Sequence, residues 1–142
     1  MDRKVFETFV ELGKELEKET LRVPYKSAQK NNHWFVKDSI SNALLGVCHY
    51  LQEDKLRGWA ERYPKPARRK KVGLITAGNI PLVGFHDILC TLITGHRLII
   101  QSSSKDNVMT TWLLNKLVSI NAELNRSISI TKSLPKCDAY IA

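Results

Sequence analysis

Cysteine is scarce and scattered. The three thiols, Cys48, Cys90 and Cys137, form no CxxC pair and make an odd count, so neither a disulfide framework nor a zinc knuckle is indicated. A reducing, cytoplasmic setting is the expectation. No apolar run approaches the roughly 20 residues that span a bilayer, and Met1-Asp2-Arg3-Lys4 leads into an amphipathic pattern instead of a signal-peptide apolar core. His33, His49, His86 and His96 have no recognised metal spacing with Asp, Glu or Cys, and no metal is expected. A GxGxxG fingerprint, a Walker loop, an RNA-binding signature and an internal repeat are all missing. Acidic residues are in deficit, 14 against 22 Lys+Arg, for a net charge of +8. That balance suits nucleic acid, an acidic partner or a phosphate-rich cofactor without separating them.

What is present divides by pattern. The 142 residues, 43% hydrophobic, suit one domain with a sizeable core. The stretch 1–66 reads as helical. Val5, Phe6, Phe9, Val10, Leu12 and Leu16 recur at three and four positions and predict an amphipathic helix from Val5 to Leu21. A polar interruption at Lys26–Asn32 precedes an apolar landing point, His33-Trp34-Phe35-Val36. A second helix follows, capped by Asp38 or Ser39, with Ile40, Ala43, Leu44, Val47, Cys48 and Leu51 on one stripe. A third, carrying Leu56, Trp59, Ala60 and Tyr63, stops at Pro64. Helix packing accounts for Trp34, Trp59 and Trp112 alike.

After the basic run Arg68–Lys71, read as a solvated crossover, the pattern changes. Val72–Thr76, Arg97–Gln101, Ser127–Thr131 and Asp138–Ile141 read as strands. Helices are predicted over Leu82–Thr94, with Pro81 near its first turn and Gly95 as a left-handed stop, and after Asp106 or Asn107 as cap. This order points to a mostly parallel sheet with right-handed crossovers. The last strand ends with the chain itself, and either it is an edge or the chain is a piece of a longer protein; the second reading is favoured.

Two turns can carry chemistry. Thr76-Ala77-Gly78-Asn79-Ile80-Pro81 follows the first strand: Gly78 permits close backbone approach, the next helix offers free amides to an anion, and Asn79 is either a turn residue or a donor to developing oxyanion charge. Ser102-Ser103-Ser104-Lys105 follows the second strand, on the same side if the two are parallel, with hydroxyls and an ammonium suited to ribose and phosphate, or simply a soluble loop. His86-Asp87 invites an acid–base reading, but helical neighbours diverge by about 100°. Cys48 and Cys90 lie on apolar stripes and read as small hydrophobes. No nucleophile is assigned.

The run Val72–Leu82, continued by Gly95–Ser103, resembles the cofactor-binding region of the aldehyde dehydrogenase superfamily. More narrowly, Gly78-Asn79-Ile80-Pro81-Leu82-Val83-Gly84-Phe85-His86-Asp87 and Ser102–Asp106 resemble the acyl-CoA reductase branch related to the fatty-acid reductase of bacterial bioluminescence. The resemblance implies an α/β fold: an N-terminal helical segment, 1–66, followed by part of a Rossmann-like, mostly parallel sheet of the aldehyde dehydrogenase type, 67–142. It implies an N-terminal part of a cytoplasmic oxidoreductase of fatty acid metabolism. Such an enzyme reduces an acyl-CoA or other activated acyl group to an aldehyde with NADPH or NADH through a cysteine thioester. Asn79 matches the family's oxyanion-stabilising asparagine; Thr76, Ala77, Gly78, Gln101, Ser102, Ser103, Ser104 and Lys105 match its cofactor loops. Many members have lysine in place of Gln101 and glutamate in place of Ser104. That departure eases binding of a 2′-phosphate, with Lys105 as its partner. No cysteine here matches the nucleophile, so the chain alone is expected to be inactive. A homo-oligomer is allowed, with no nucleic acid and no transmembrane segment expected. The competing readings are a standalone α/β nucleotide-binding or protein-interaction domain and a basic nucleic-acid binder.

Overall fold

The computed structural model describes residues 1–18 and 22–142; Leu21, the far end of the first predicted helix, lies outside them. Helix α1 (Arg3–Glu17) starts where the Asp2 carboxylate accepts the Val5 amide at 3.4 Å, and its apolar spacing buries Val5, Phe6, Phe9, Val10 and Leu12. Helix α2 (Tyr25–Asn31) replaces the polar interruption. It buries Ala28 and otherwise has no apolar stripe to betray it. Helix α3 (Lys37–Tyr50) buries Ile40, Leu44 and Val47 as its stripe predicts. Its cap is Val36, not Asp38 or Ser39, and the Ser39 hydroxyl bonds the Trp34 and Val36 carbonyl oxygens at 3.3 and 2.8 Å. Helix α4 (Glu53–Ala60) buries Leu56 and Ala60 and ends well before Pro64; Tyr63 of its predicted stripe is exposed.

Strands β1 (Lys71–Ile75), β2 (Arg97–Gln101), β3 (Ile128–Ile130) and β4 (Ala139–Ile141) form one sheet in the order β3-β2-β1-β4, with every pairing parallel. Register sets Leu74 beside Ile100 and Ile141, so Val72, Leu74, Leu98 and Ile100 face the helices. On the opposite face a Cβ at Gly73 would lie 2.9 Å from Leu134 and 3.0 Å from the Tyr140 ring. The β3–β4 connection passes close there, and only glycine leaves room for it. Helices α5 (Phe85–Ile93) and α6 (Asn107–Ile120) are the crossovers, and α1 packs against α3, α5 and α6. One core therefore runs from Phe9, Phe35 and Ile40 through Leu92 and Leu113 to Leu74 and Leu98. The protein has a mixed α/β fold with N-terminal helices and a parallel sheet, consistent with the Rossmann-like arrangement that the sequence predicts.

Two helix starts differ from expectation. Helix α5 begins at Phe85; residues 81–84 are turns, and Leu82 adopts a left-handed φ of 57°. Pro81 therefore stands outside the helix, whose first amides do not sit directly behind Asn79. Asp106 does occupy the cap position of α6, but its carboxylate accepts the Leu82 amide at 2.9 Å instead of an amide of its own helix. Gly95, at φ 87°, closes α5 as predicted. A 3₁₀ turn at Ala122–Arg126 was not expected. No helix among the described residues is long and apolar enough to cross a membrane.

Candidate functional site

Because β1 and β2 are neighbouring parallel strands, the turns that follow them leave the same end of the sheet. They are also in contact. The Thr76 hydroxyl accepts the Ser103 amide at 3.2 Å, and the Ser103 hydroxyl accepts the Lys105 amide at 3.2 Å. A Cβ on Gly78 would collide with the Ser103 hydroxyl and lie 2.7 Å from Lys105 Cβ, so close approach is what this glycine provides. Beside the paired turns opens a cavity of about 660 Å³, walled by Gly78, Asn79 and Lys105 on one side and by Asn32, Trp34 and Asn42 on the other. Asn79 and Lys105 are both exposed.

The other predicted contacts distribute as follows. Ala77 is exposed beside Gly78, and Ser102 and Ser103 are half-buried. The Ser102 hydroxyl donates to Asn107 Oδ1 at 3.2 Å, and the Ser104 carbonyl accepts from Asn31 Nδ2 at 2.9 Å. Gln101 stands apart, because its side-chain oxygen accepts the Leu134 amide at 3.2 Å and so reaches the β3–β4 connection. Below the turns Asp106 is buried, with Oδ2 accepting from Leu82 and, at 3.3 Å, from the Thr110 hydroxyl, while Oδ1 has no partner. Burial pushes its carboxyl up to about 6, against the opposing pull of those hydrogen bonds.

The thiols stay away from this centre. Burial, then the nearby charges of Glu17 and Asp87, push Cys48 and Cys90 up respectively, which keeps them as thiols. Cys137 precedes β4, beside Lys71 and Arg97, at the end of the sheet opposite Asn79. His86 lies 3.7 Å from Cys90 Sγ and packs 5.3 Å from the Tyr50 ring. No group of three His, Cys, Asp or Glu able to hold a metal occurs among the described residues.

The sequence reading missed three residues of the site. Asn31 and Asn32, at the end of the polar interruption, donate to the two turns, and Trp34 stands on the cavity wall at 84% exposure. Helix packing therefore does not account for Trp34, and the landing point is Phe35 alone, since Val36 is exposed too. The adjacent pair of amide side chains before an aromatic dipeptide was the available signal. The basic run likewise does more than solvate a linker: the Arg69 guanidinium donates at 2.8 Å to both the Gly95 carbonyl and the Ser127 hydroxyl.

Comparison with known proteins covers nearly the whole chain. Residues 2–137 match the family model described as acyl-CoA reductase (LuxC). A long-chain acyl-protein thioester reductase 2 of Photobacterium leiognathi is 38% identical over 72 residues, 49% of this chain and 15% of its own length. The long-chain acyl-protein thioester reductase of Aliivibrio fischeri is 35% identical over 94 residues, 64% of this chain and 19% of its own. The chain thus spans less than a fifth of the length of either curated relative. No solved structure matches. With the family model running across both the helical region and the paired turns, the chain belongs to the acyl-CoA reductase (LuxC) family.

Proposed function

We propose that this chain is the N-terminal part of a reductase that converts a fatty acyl-CoA, or an acyl group carried on a protein as a thioester, to an aldehyde with NADPH or NADH. The observation that carries the reading is the contact of the Thr76–Asn79 turn with the Ser102–Lys105 turn at the carboxyl end of adjacent parallel strands, beside an open cavity. The residues present fit a nicotinamide dinucleotide. Gly78 removes the side chain that would keep the turns apart, and Lys105 supplies a cation for phosphate on the cavity wall; the Ser102 and Ser103 hydroxyls brace the turn through Asn107 and the Lys105 amide. When bound, the cofactor supplies the hydride. Asn79, exposed at the cavity, donates its side-chain amide to the substrate oxygen as charge develops there.

No cysteine of this chain lines the cavity and Cys137 is at the opposite end of the sheet, so on this reading the reacting thiol lies outside these 142 residues. The 142-residue chain by itself is therefore expected to show no acyl-CoA-dependent oxidation of NADPH. The decisive experiment uses the protein encoded by the complete reading frame and follows oxidation of NADPH, and separately of NADH, with long-chain acyl-CoA by the loss of reduced-nicotinamide absorbance. Turnover by that protein, with kcat reduced about 10²- to 10³-fold in Asn79→Ala, supports the assignment. Turnover that survives Asn79→Ala unchanged removes Asn79 from the chemistry, and a complete reading frame without turnover overturns the reductase assignment, leaving a small α/β binding domain if that frame stops after Ala142.

A further inference from the structure

Asn31 and Asn32 end α2 side by side, and each reaches a different turn of the site. Asn32 is buried at 8% exposure, and its Nδ2 donates to the Gly78 carbonyl at 3.1 Å. Asn31 Nδ2 donates to the Ser104 carbonyl at 2.9 Å. Each accepting carbonyl belongs to the peptide just ahead of a residue on the cavity wall: Gly78 precedes Asn79, and Ser104 precedes Lys105. A peptide is planar, so fixing its oxygen fixes the orientation of the amide that follows and thereby narrows the direction of the next Cα–Cβ bond. At Gly78, the residue with the widest backbone freedom, that restraint has the most to remove.

Asn32 is itself firmly held. Its backbone amide donates to Ala28 O and its backbone carbonyl accepts from Phe35, both at 2.9 Å, while Oδ1 accepts the Trp34 amide at 3.0 Å. Phe35, three residues on, is fully buried in the core. The amide aimed at Gly78 is therefore anchored to α2 and to the core at once. We infer that Asn32 and Asn31 are positioning residues, through which the helical region sets the orientation of Asn79 and Lys105 respectively. This assignment of a purpose rests on the site proposed above; the mechanical coupling does not.

The test uses the 142-residue chain, ¹⁵N-labelled, with Asn32→Asp and Asn31→Asp. Each replacement keeps the size of the side chain but turns a donor into an oxygen facing a carbonyl oxygen. Backbone relaxation at Asn79 and Lys105 is then compared with NADPH titration by cofactor fluorescence. Asn32→Asp is expected to lower the order parameter at Asn79 from the rigid range, about 0.85, to below about 0.6 while Lys105 stays rigid. Asn31→Asp is expected to do the reverse, and each variant to weaken NADPH binding by about tenfold. This crossed selectivity is what a merely structural role would not produce. Unchanged order parameters, or equal loosening of both residues by either variant, overturn the inference. Should Asn32→Asp fail to fold, Asn31→Asp carries the same test at Lys105. Selective loosening in a chain that binds no NADPH leaves the positioning intact and rejects the cofactor reading. NADPH binding that persists with both residues still rigid does the opposite.

Discussion

Asp106 is a carboxylate placed where water cannot reach it, and Leu82 explains the placement. A left-handed leucine costs about 1–2 kcal/mol, and at φ 57° its amide points to the Asp106 Oδ2 that receives it at 2.9 Å. The charged form is disfavoured by burial, which lifts the carboxyl from 3.8 to about 6. In the unfolded chain the group loses its proton near 4, whereas the folded chain keeps it until about 6. Between those values the native state binds more protons, so this group's contribution to stability falls as pH rises from 4 to 6 and stays low at 7. Asp106→Asn retains an oxygen for Leu82 without the charge. It is expected to abolish that part of the pH slope, read as urea midpoints at pH 5 and 7, while the gain from removing a buried charge is offset by an Nδ2 left at the unpartnered Oδ1 position. Parallel shifts at the two pH values would show that the carboxyl does not titrate in this window. Gly78→Ala acts by crowding instead. The added methyl must displace Ser103 and Lys105, with an expected loss of about 1–3 kcal/mol and weaker NADPH binding, both measurable on the same preparation.

Elements differ in how far local sequence reveals them, and the difference follows the range of the forces that make them. Helices α1 and α3, strands β1 and β2, and the Gly95 stop arise from periodicity and intrinsic backbone preference, and all were legible. Helix α2 was not, because its polar sequence buries Ala28 and little else and its side chains are spent on turns more than 45 residues away. The start of α5 was misjudged for a related reason. Pro81 satisfies the local rule for a first helical turn, but a carboxylate 24 residues later captures the Leu82 amide. That the Asn79 and Ser102–Lys105 turns share one end of the sheet is legible from two parallel strands, whereas their direct contact and the cavity's second wall are not. Close packing between elements gives a further test at Gly13, where a Cβ would lie 2.8 Å from Leu51 Cβ and 3.3 Å from its carbonyl oxygen. Gly13→Val is expected to push α1 off the end of α3 and cost about 1–3 kcal/mol, seen in the urea midpoint. An unchanged midpoint would mean that the two elements part without loss.

For the whole molecule the seam between 1–66 and 67–142 is the question, since composition places a boundary there while the contacts cross it. Phe9 meets Phe85 edge-on at 6.2 Å, and the buried Asn121 side chain donates to the Thr8 hydroxyl at 3.0 Å. The Asp2 amide donates to the Ile93 carbonyl at 2.9 Å, and Lys4 pairs with Glu123 at 2.6 Å. The salt bridge is exposed and contributes little, but the apolar part of the seam is the centre of the core. Without residues 1–66, the helix faces carrying Leu92, Ile93, Leu113 and Leu117 would lose part of their cover. Exposed apolar surface of that kind drives association. The 142-residue chain is accordingly expected to melt in a single transition, with far-UV and near-UV dichroism coincident, whereas residues 67–142 alone should lack fixed tertiary packing and self-associate. Two resolved transitions in the full chain, or a monomeric 67–142 with a cooperative melt, would show that the sheet half supports itself. In that case the helical region would serve the site chiefly through Asn31, Asn32 and Trp34. With a single transition, the same helices hold the core and the cavity wall together, so loss of the N-terminal packing and loss of the ligand site would coincide.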